Sequence, residues 1–595
     1  MMKRLFSLFL IAVFVFTFVA CAKKDNKGED ITQTPVAGKY TPGTYEGKAQ
    51  GYGGDIVATV VLGANQIESI TCTGEGETEG IGSVALAQLP SEMVTSQSVQ
   101  VDAISGATKS SKGVVEAVTQ ALTNAGVDVQ TLTPIVQQSK PTSTVKEEIK
   151  SADVVVIGAG GAGMTAALEA TNKGLKVIVL EKQAMAGGNT IKAIGGLNAA
   201  ETKLQKDQKV NDSVESFVED TLKGGNYTNN EALVRTLAEN SAAAVDWLES
   251  IGAPLTTLTS AGGATNMRMH APGDGVPIGT YIVDALVKQL KEKQVEILYH
   301  TKATDLIMDK GEIKGVHATG ENVKYTINCE AVILATGGFG ANADMIAEYH
   351  KEYKDLITTN TPGTDGDGIR MAQAVGAKVI DMDQIQVVPT VEEETRTIIT
   401  EEVRQKGAIL VNQNGERFFN EMSTRDLVSK AIMEQEGGYA YLIFDQQVFD
   451  NLSTIKDYMK ADIVEDEENL AELADDIHVD EATLIQTIAD WNKTITDKTT
   501  DPFNRTTGKD QTISKAPYYA VKVAPAIYHT MGGVEINTKA EVLSTNQSVI
   551  PGLFAAGEVT GGVHGESRIG GNAIAEVIVF GRIAGQSAVE YVGTH

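Results

Sequence analysis

Between Val154 and Glu181 the chain reads VVVIGAGGAGMTAALEATNKGLKVIVLE, a spacing of glycines and one acid suited to holding a dinucleotide. The β-branched run Val154 to Ile157 predicts a buried strand. Gly158, Gly160, Gly161, Ala162 and Gly163 form the turn into a small-residue helix. A second apolar run, Val177 to Leu180, ends on Glu181. This is the order of a β-α-β nucleotide unit. Gly158 permits the tight turn. Gly160 lets a pyrophosphate approach the unpaired amides at the helix N-terminus, and Gly163 lets helix and strand pack closely. Glu181 is placed to accept ribose hydroxyls. A ligand-free glycine turn is the bland alternative, and the flanking strands with the acid at this spacing argue against it.

The elements that must carry this loop divide the 595 residues into several units. Residues 43–125 alternate as short strands and end in an amphipathic segment, Val114 to Ala125, that predicts a helix. Between them lies Asp102-Ala-Ile-Ser105-Gly106-Ala107-Thr108, followed by Lys109, Ser110 and Ser111. Residues 126–150 are polar, contain Pro134 and Pro141, and read as a linker. The large unit, 151–595, resumes its apolar strands at Ala331 to Leu334 and again at Leu553 to Ala556. Its middle, 391–525, is richer in charge and helical periodicity and reads as an insertion. The expected fold class is α/β: a Rossmann-type domain (151–390 and 526–595) with an inserted α+β domain, preceded by a small α/β domain.

The net charge of −28 argues against nucleic acid as a partner. Lys3 and Arg4 precede an apolar run, Leu5 to Val19, which is short for a spanning helix. With Ala20-Cys21 this resembles a bacterial lipoprotein signal peptide over 1–21, making Cys21 the lipidation site, 22–42 a tether, and the folded part extracytoplasmic. Cys72 and Cys329 fall in separate units, so no disulfide is expected. No cysteine pair has haem, zinc or iron–sulfur spacing, and no metal is expected.

The segments AGGNTIKAIGGLNAA (186–200), ILATGGF (333–339), NEMSTRD (420–426), HTMGG (529–533) and AGEVTGGVHGESRIGGNAI (556–574) resemble the soluble fumarate reductase / flavocytochrome c family, whose wider group includes urocanate and methacrylate reductases. The resemblance implies that FAD lies across the Rossmann domain and that the insertion caps the substrate. Hydride from FAD and a proton from an arginine then saturate an activated C=C bond. Residues 43–125 resemble the FMN-binding domain of bacterial respiratory flavoproteins. That implies FMN esterified to Thr108 by a flavin transferase, with electrons relayed from a membrane donor, a quinol- or NADH-linked flavoprotein chain.

By the same resemblance Arg425 is the proton donor, recharged through Glu401 and Arg404. Arg568 and His529 hold the substrate carboxylate, and Gly571 brings a backbone amide to it. A planar guanidinium suits a carboxylate because it pairs bidentately. FAD contacts are expected from Gly158, Gly160, Gly161, Ala162, Gly163, Glu181, Asn189, Thr190, Gly195, Gly196, Asp367, Glu558, Ala573 and Ile574. His564 and His270 are weaker candidates, and His564 is read as structural.

Two positions depart from the family pattern. Where fumarate reductases carry QxHPT, this chain has Gln386-Val387-Val388-Pro389-Thr390. The usual TEAVR is here Thr400-Glu401-Glu402-Val403-Arg404. Valine cannot pair a distal carboxylate, which is costly to bury unpaired, and Glu402 adds a like charge. Together they favour a monocarboxylate, with urocanate ahead of fumarate and acrylate or arylacrylate as further alternatives. A steroid dehydrogenase running the other way, or an electron-shuttling flavin lipoprotein without its own substrate, would not need the arginine set.

Overall fold

The computed structural model describes residues 39–77, 82–104, 107–132, 145–273 and 275–594. The expected signal segment, Cys21, Ser105, Pro134 and Pro141 lie outside them.

The N-terminal unit is a three-stranded antiparallel sheet, Gly43–Gln50, Asp55–Leu62 and Ile67–Thr73, in that order. Alternation in DIVATVVL turns Ile56, Ala58, Val60 and Leu62 inward. The helices Gly82–Ser96 and Thr108–Asn124 cover that face with Ala85, Leu89, Met93, Val114, Ala117 and Ala121. The second helix starts six residues before the expected Val114. Its first turn, Thr-Lys-Ser-Ser-Lys, is polar, so apolar periodicity does not reveal it. The helix therefore begins on Thr108 itself.

The expected linker needs correction at its C-terminal end. Lys146–Ser151 is a strand, paired in parallel with Val323–Asn328. Pairing with a distant strand holds these charged residues extended, which local composition does not disclose. At the other end Ser98 Oγ donates to the carbonyl of Leu132 at 3.0 Å, so the chain stays on the small unit to that point.

The large unit is built on a six-stranded sheet. Its order is Glu296–Leu298, Val177–Leu180, Val154–Ile157, Ala331–Leu334, Val549–Ala555 and Glu541–Leu543, parallel except for the last pair. The strands Val154–Ile157, Val177–Leu180 and Ala331–Leu334 are buried at every residue, because helices pack on the sheet and the strand Glu312–Thr319 of a separate four-stranded sheet packs on it as well. Gly161–Asn172 and Asn572–Val592 are two of these helices. A second sheet joins Ile409–Val411, Ala440–Asp445, Tyr518–Thr530 and Ile357–Thr358, with Ile385–Val391 also paired to Tyr518–Thr530. The expected boundaries at 390/391 and 525/526 thus fall within two paired strands. These strands carry Val388 and His529 from one unit into the other.

Candidate active site

The nucleotide loop leaves Ile157 and enters the helix Gly161–Asn172 with Gly160 as its N-cap and no side-chain cap. Gly158 has φ 103°, and a Cβ there would lie 2.3 Å from the Ala335 carbonyl. A Cβ on Gly163 would lie 1.9 Å from the Gly158 carbonyl, so helix and strand meet closely there. Gly160 differs: the nearest atom to its Cβ position is 4.0 Å away, at the Gly187 carbonyl. Its missing side chain leaves open space above the helix N-terminus, where a pyrophosphate fits.

Around this loop Glu181, Thr190, Asn189, Glu558 and Asp367 each have protein partners. Glu181 accepts from the amides of Ala159 and Gln183, both at 2.8 Å, and burial raises its pKa. Thr190 Oγ1 accepts from the Gly161 amide at 3.2 Å. Asn189 Nδ2 donates to Asn360 Oδ1 at 2.6 Å and to Glu558 Oε2 at 3.2 Å, and its Oδ1 accepts from the Thr361 amide at 2.9 Å. Glu558 Oε1 accepts from the Thr530 amide at 3.0 Å. Asp367 pairs with Lys182 at 2.8 Å and Lys302 at 3.3 Å. Gly195 and Gly196 line the same cleft, as do Ala573 and Ile574 at the start of Asn572–Val592. Gly571 caps that helix at φ 86°. The side chain closest to its Cβ position is that of Asn198, at 2.5 Å, so the glycine is needed for packing whatever its amide does.

The cleft holds about 1960 Å³ and continues past this loop to the second sheet and to the N-terminal unit. From the N-terminal unit Tyr52, Ala107, Lys109 and Ser110 reach it. The helix Thr108–Asn124 opens there from its N-cap Ala107, which has no side-chain cap. Glu77 accepts from Ser110 Oγ and, at 3.0 Å, from the Gly53 amide. Gln88 Nε2 lies 3.3 Å from His300 Nε2 of the large unit, so the two units touch.

At the other end three arginines gather. Arg425 starts the helix Arg425–Met433, and among the described residues no carboxylate pairs with it. Arg404 is buried in the helix Glu401–Gln405, and its Nη1 donates to the Glu421 carbonyl at 2.8 Å. Burial pushes its pKa down to about 10; Glu401 opposes this and Arg425 adds to it. Arg568 is buried over the Tyr528 ring at 5.4 Å, and its Nη2 donates to Gln386 Oε1 at 3.0 Å. Gln386 Nε2 returns a bond to the Arg568 carbonyl at 3.1 Å. Burial lowers the Arg568 pKa, and Arg425 pushes the same way. Three cations within electrostatic range, in a chain of net charge −28, make an anion site.

Several buried atoms here have no partner: Thr400 Oγ1, Arg404 Nε, His529 Nε2 and Arg568 Nε. Buried polar groups are ordinarily paired, so this clustering marks a place for a polar ligand. His529, at the end of Tyr518–Thr530, stands 3.7 Å from Glu558 and edge-on to His564. Burial, with Arg568 and His564 nearby, holds its pKa well below the ordinary histidine value. His564 is buried and bonds Glu576 at 2.9 Å, and His270 meets Thr202 Oγ1 at 2.8 Å.

Val388 is buried in an apolar cluster with Val391 and Ala526, against Ile357, Ile398 and Tyr528. Glu402, expected near the distal end of the substrate, lines the cleft and is exposed there. As the second residue of its helix it points to solvent while Val403 and Arg404 turn inward. Sequence reading missed Tyr528, Gln386 as the holder of Arg568, and Lys192, whose Nζ donates to the Thr359 carbonyl at 2.8 Å inside the cleft. No motif spacing links these residues to their partners.

Residues 153–574 match the FAD binding domain family, and 51–123 match the FMN-binding domain family. An NADH:fumarate oxidoreductase of Klebsiella pneumoniae is 37% identical over 557 residues, covering 93% of this chain and 59% of that protein. The chain thus spans less than two thirds of that relative. A urocanate reductase of Eggerthella lenta is 34% identical over 585 residues, covering 94% of this chain and 95% of the relative. The open conformation of a flavocytochrome c3 fumarate reductase superposes with a TM-score of 0.71 at 42% identity, covering 74% of this chain and 79% of that one.

Proposed function

The chain belongs to the FAD-dependent soluble fumarate reductase / flavocytochrome c family, and on that premise we propose that it reduces the C=C bond of a small α,β-unsaturated monocarboxylate, urocanate ahead of fumarate. The observation that carries this reading is the convergence of Arg404, Arg425, Arg568 and His529 on one cleft, with donors left unpaired. Bound flavins supply the electrons, FMN on Thr108 as relay and FAD as hydride source. Arg568, braced by Gln386, and neutral His529 hold the substrate carboxylate and absorb the charge that builds on it. Arg425 gives the proton to the α-carbon, and Glu401 and Arg404 restore it. Val388 and its apolar neighbours close the distal end, where a second carboxylate would find no partner. The second sheet acts as the cap. The whole would sit outside the cytoplasm on a lipid at Cys21, fed by a membrane electron donor after flavin transferase has loaded Thr108.

Anaerobic turnover with reduced viologen and a panel of urocanate, fumarate, acrylate and arylacrylates tests the reaction. Urocanate or another monocarboxylate is expected to have the highest kcat/KM. Efficient fumarate reduction with the monocarboxylates inert would overturn the substrate assignment. Protein made with a flavin transferase should gain one FMN of mass and fluoresce after denaturation, and Thr108→Ala should abolish both. A wild-type protein so made without covalent flavin would sink the relay.

A further inference from the structure

We propose that Arg505 and Glu421, which neither the cofactor nor the substrate assignment uses, are positioning residues for proton delivery; this rests on reading Glu401, Arg404 and Arg425 as the relay. Two arginines and two acids are buried together behind that relay. Arg417 pairs with Glu421 at 2.8 Å and with Asp501 at 2.8 Å, and Arg505 pairs with Glu421 at 3.1 Å. The guanidinium groups of Arg417 and Arg505 stack on Trp491 at 4.7 and 4.8 Å. Burying four charges in this way adds little stability over apolar packing. What the cluster does achieve is grip.

Every N–H of Arg505 is engaged. Nε donates to the Thr507 carbonyl at 3.1 Å, and Nη1 to the Ala408 carbonyl at 2.9 Å as well as to Glu421. Nη2 donates to the Arg404 carbonyl at 2.6 Å and to the Gly508 carbonyl. Glu421 accepts the Leu410 amide at 3.2 Å on its carboxylate, and its own carbonyl accepts Arg404 Nη1 at 2.8 Å. Arg404 is therefore held at its backbone by Arg505 and at its guanidinium by Glu421. Glu421 also opens the turn Glu421-Met-Ser-Thr-Arg425 that delivers the proton donor to its helix. One ionic cluster thus fixes both arginines of the relay relative to each other. A displacement of about 1 Å at such a site costs on the order of 100-fold in rate.

The test uses Arg505→Lys and Glu421→Gln in the flavin-loaded enzyme, with FAD content and melting temperature checked first. The expected result is a fall in kcat of roughly 10- to 100-fold with KM little changed and a larger solvent isotope effect on kcat. Adding Arg505→Lys to an Arg404→Leu background should cost little more, since the two act through one group. Wild-type kcat in both variants, or a fully additive loss in the Arg404→Leu background, overturns the proposal. So does failure of both variants to fold, because the cluster would then serve the fold itself. Undiminished kcat in Arg404→Leu alone would instead remove the relay reading on which the proposal stands.

Discussion

Asn189, Thr190, Glu181 and Glu558 around the nucleotide loop each have protein partners, whereas Thr400, Arg404, His529 and Arg568 at the other end of the same cleft each keep a buried atom without one. The loop is a cradle whose shape exists before any ligand arrives, and its one deliberate gap is the space over Gly160. The arginine end is held together against its own repulsion, with Arg425 raising the cost of charge on both Arg404 and Arg568. A pre-formed cradle suits a cofactor that stays. Unpaired cations suit an anion that comes and goes, because the binding energy is realised only while it is there.

The comparison breaks most visibly at Gly160. Its φ of −74° suits any L-residue, so Gly160→Val should fold. The new side chain would occupy the space left for the pyrophosphate. Purified Gly160→Val should lack FAD absorbance while its apo melting temperature matches that of the apo wild type. Retention of full FAD by this variant would show that the open space is not the phosphate site.

Arg425→Ala should do the reverse, keeping FAD and losing chemistry. A positioned general acid is worth roughly 100-fold or more in turnover. Near-normal kcat in a folded, FAD-loaded Arg425→Ala would rule out its role as proton donor.

Val388→His sharpens the substrate end. A hydrogen bond to a charged group is worth about 1.5–3 kcal/mol, so kcat/KM for fumarate should rise by on the order of 10- to 100-fold. Glu402→Ala should add little, because an exposed charge is screened. A fumarate rate that responds to Glu402→Ala and not to Val388→His would reverse this ranking.

The difference between the two regions also explains what the chain discloses unaided. The glycine loop of the cradle was legible because it is local: strand, glycine turn, helix and acid follow one another within Val154 to Glu181, whereas Asn189 meets Asn360 and Glu558 across 171 and 369 residues. The arginine site was legible only through resemblance, since Arg404, Arg425, His529 and Arg568 come from separate segments. Their supports were not legible at all. Arg505 reaches back 101 residues to the Arg404 carbonyl, and Gln386 meets Arg568 across 182. Local pattern likewise hid the first turn of Thr108–Asn124 and the strand Lys146–Ser151, where polar residues are ordered by contacts made elsewhere.

The smallest effect concerns His529, which belongs to both regions because it stands between Glu558 of the cradle and Arg568 of the anion site. Its folded pKa lies well below the ordinary value, through burial first and then the positive charge of Arg568 and the neighbouring His564. The unfolded chain protonates this imidazole as pH falls through about 6.5, while the folded protein keeps it neutral. The unfolded state then binds more protons, so this contribution to stability is complete above that pH and declines below it until the folded pKa is reached. The slope for one proton is at most about 1.4 kcal/mol per pH unit. Denaturant melts of the substrate-free protein at pH 7, 6 and 5 should therefore show wild type losing more stability than His529→Gln over that range. Parallel pH profiles for the two proteins would mean that His529 takes up a proton in the fold as readily as in the unfolded chain, so that the anion site gains a further cation only below about pH 6.5.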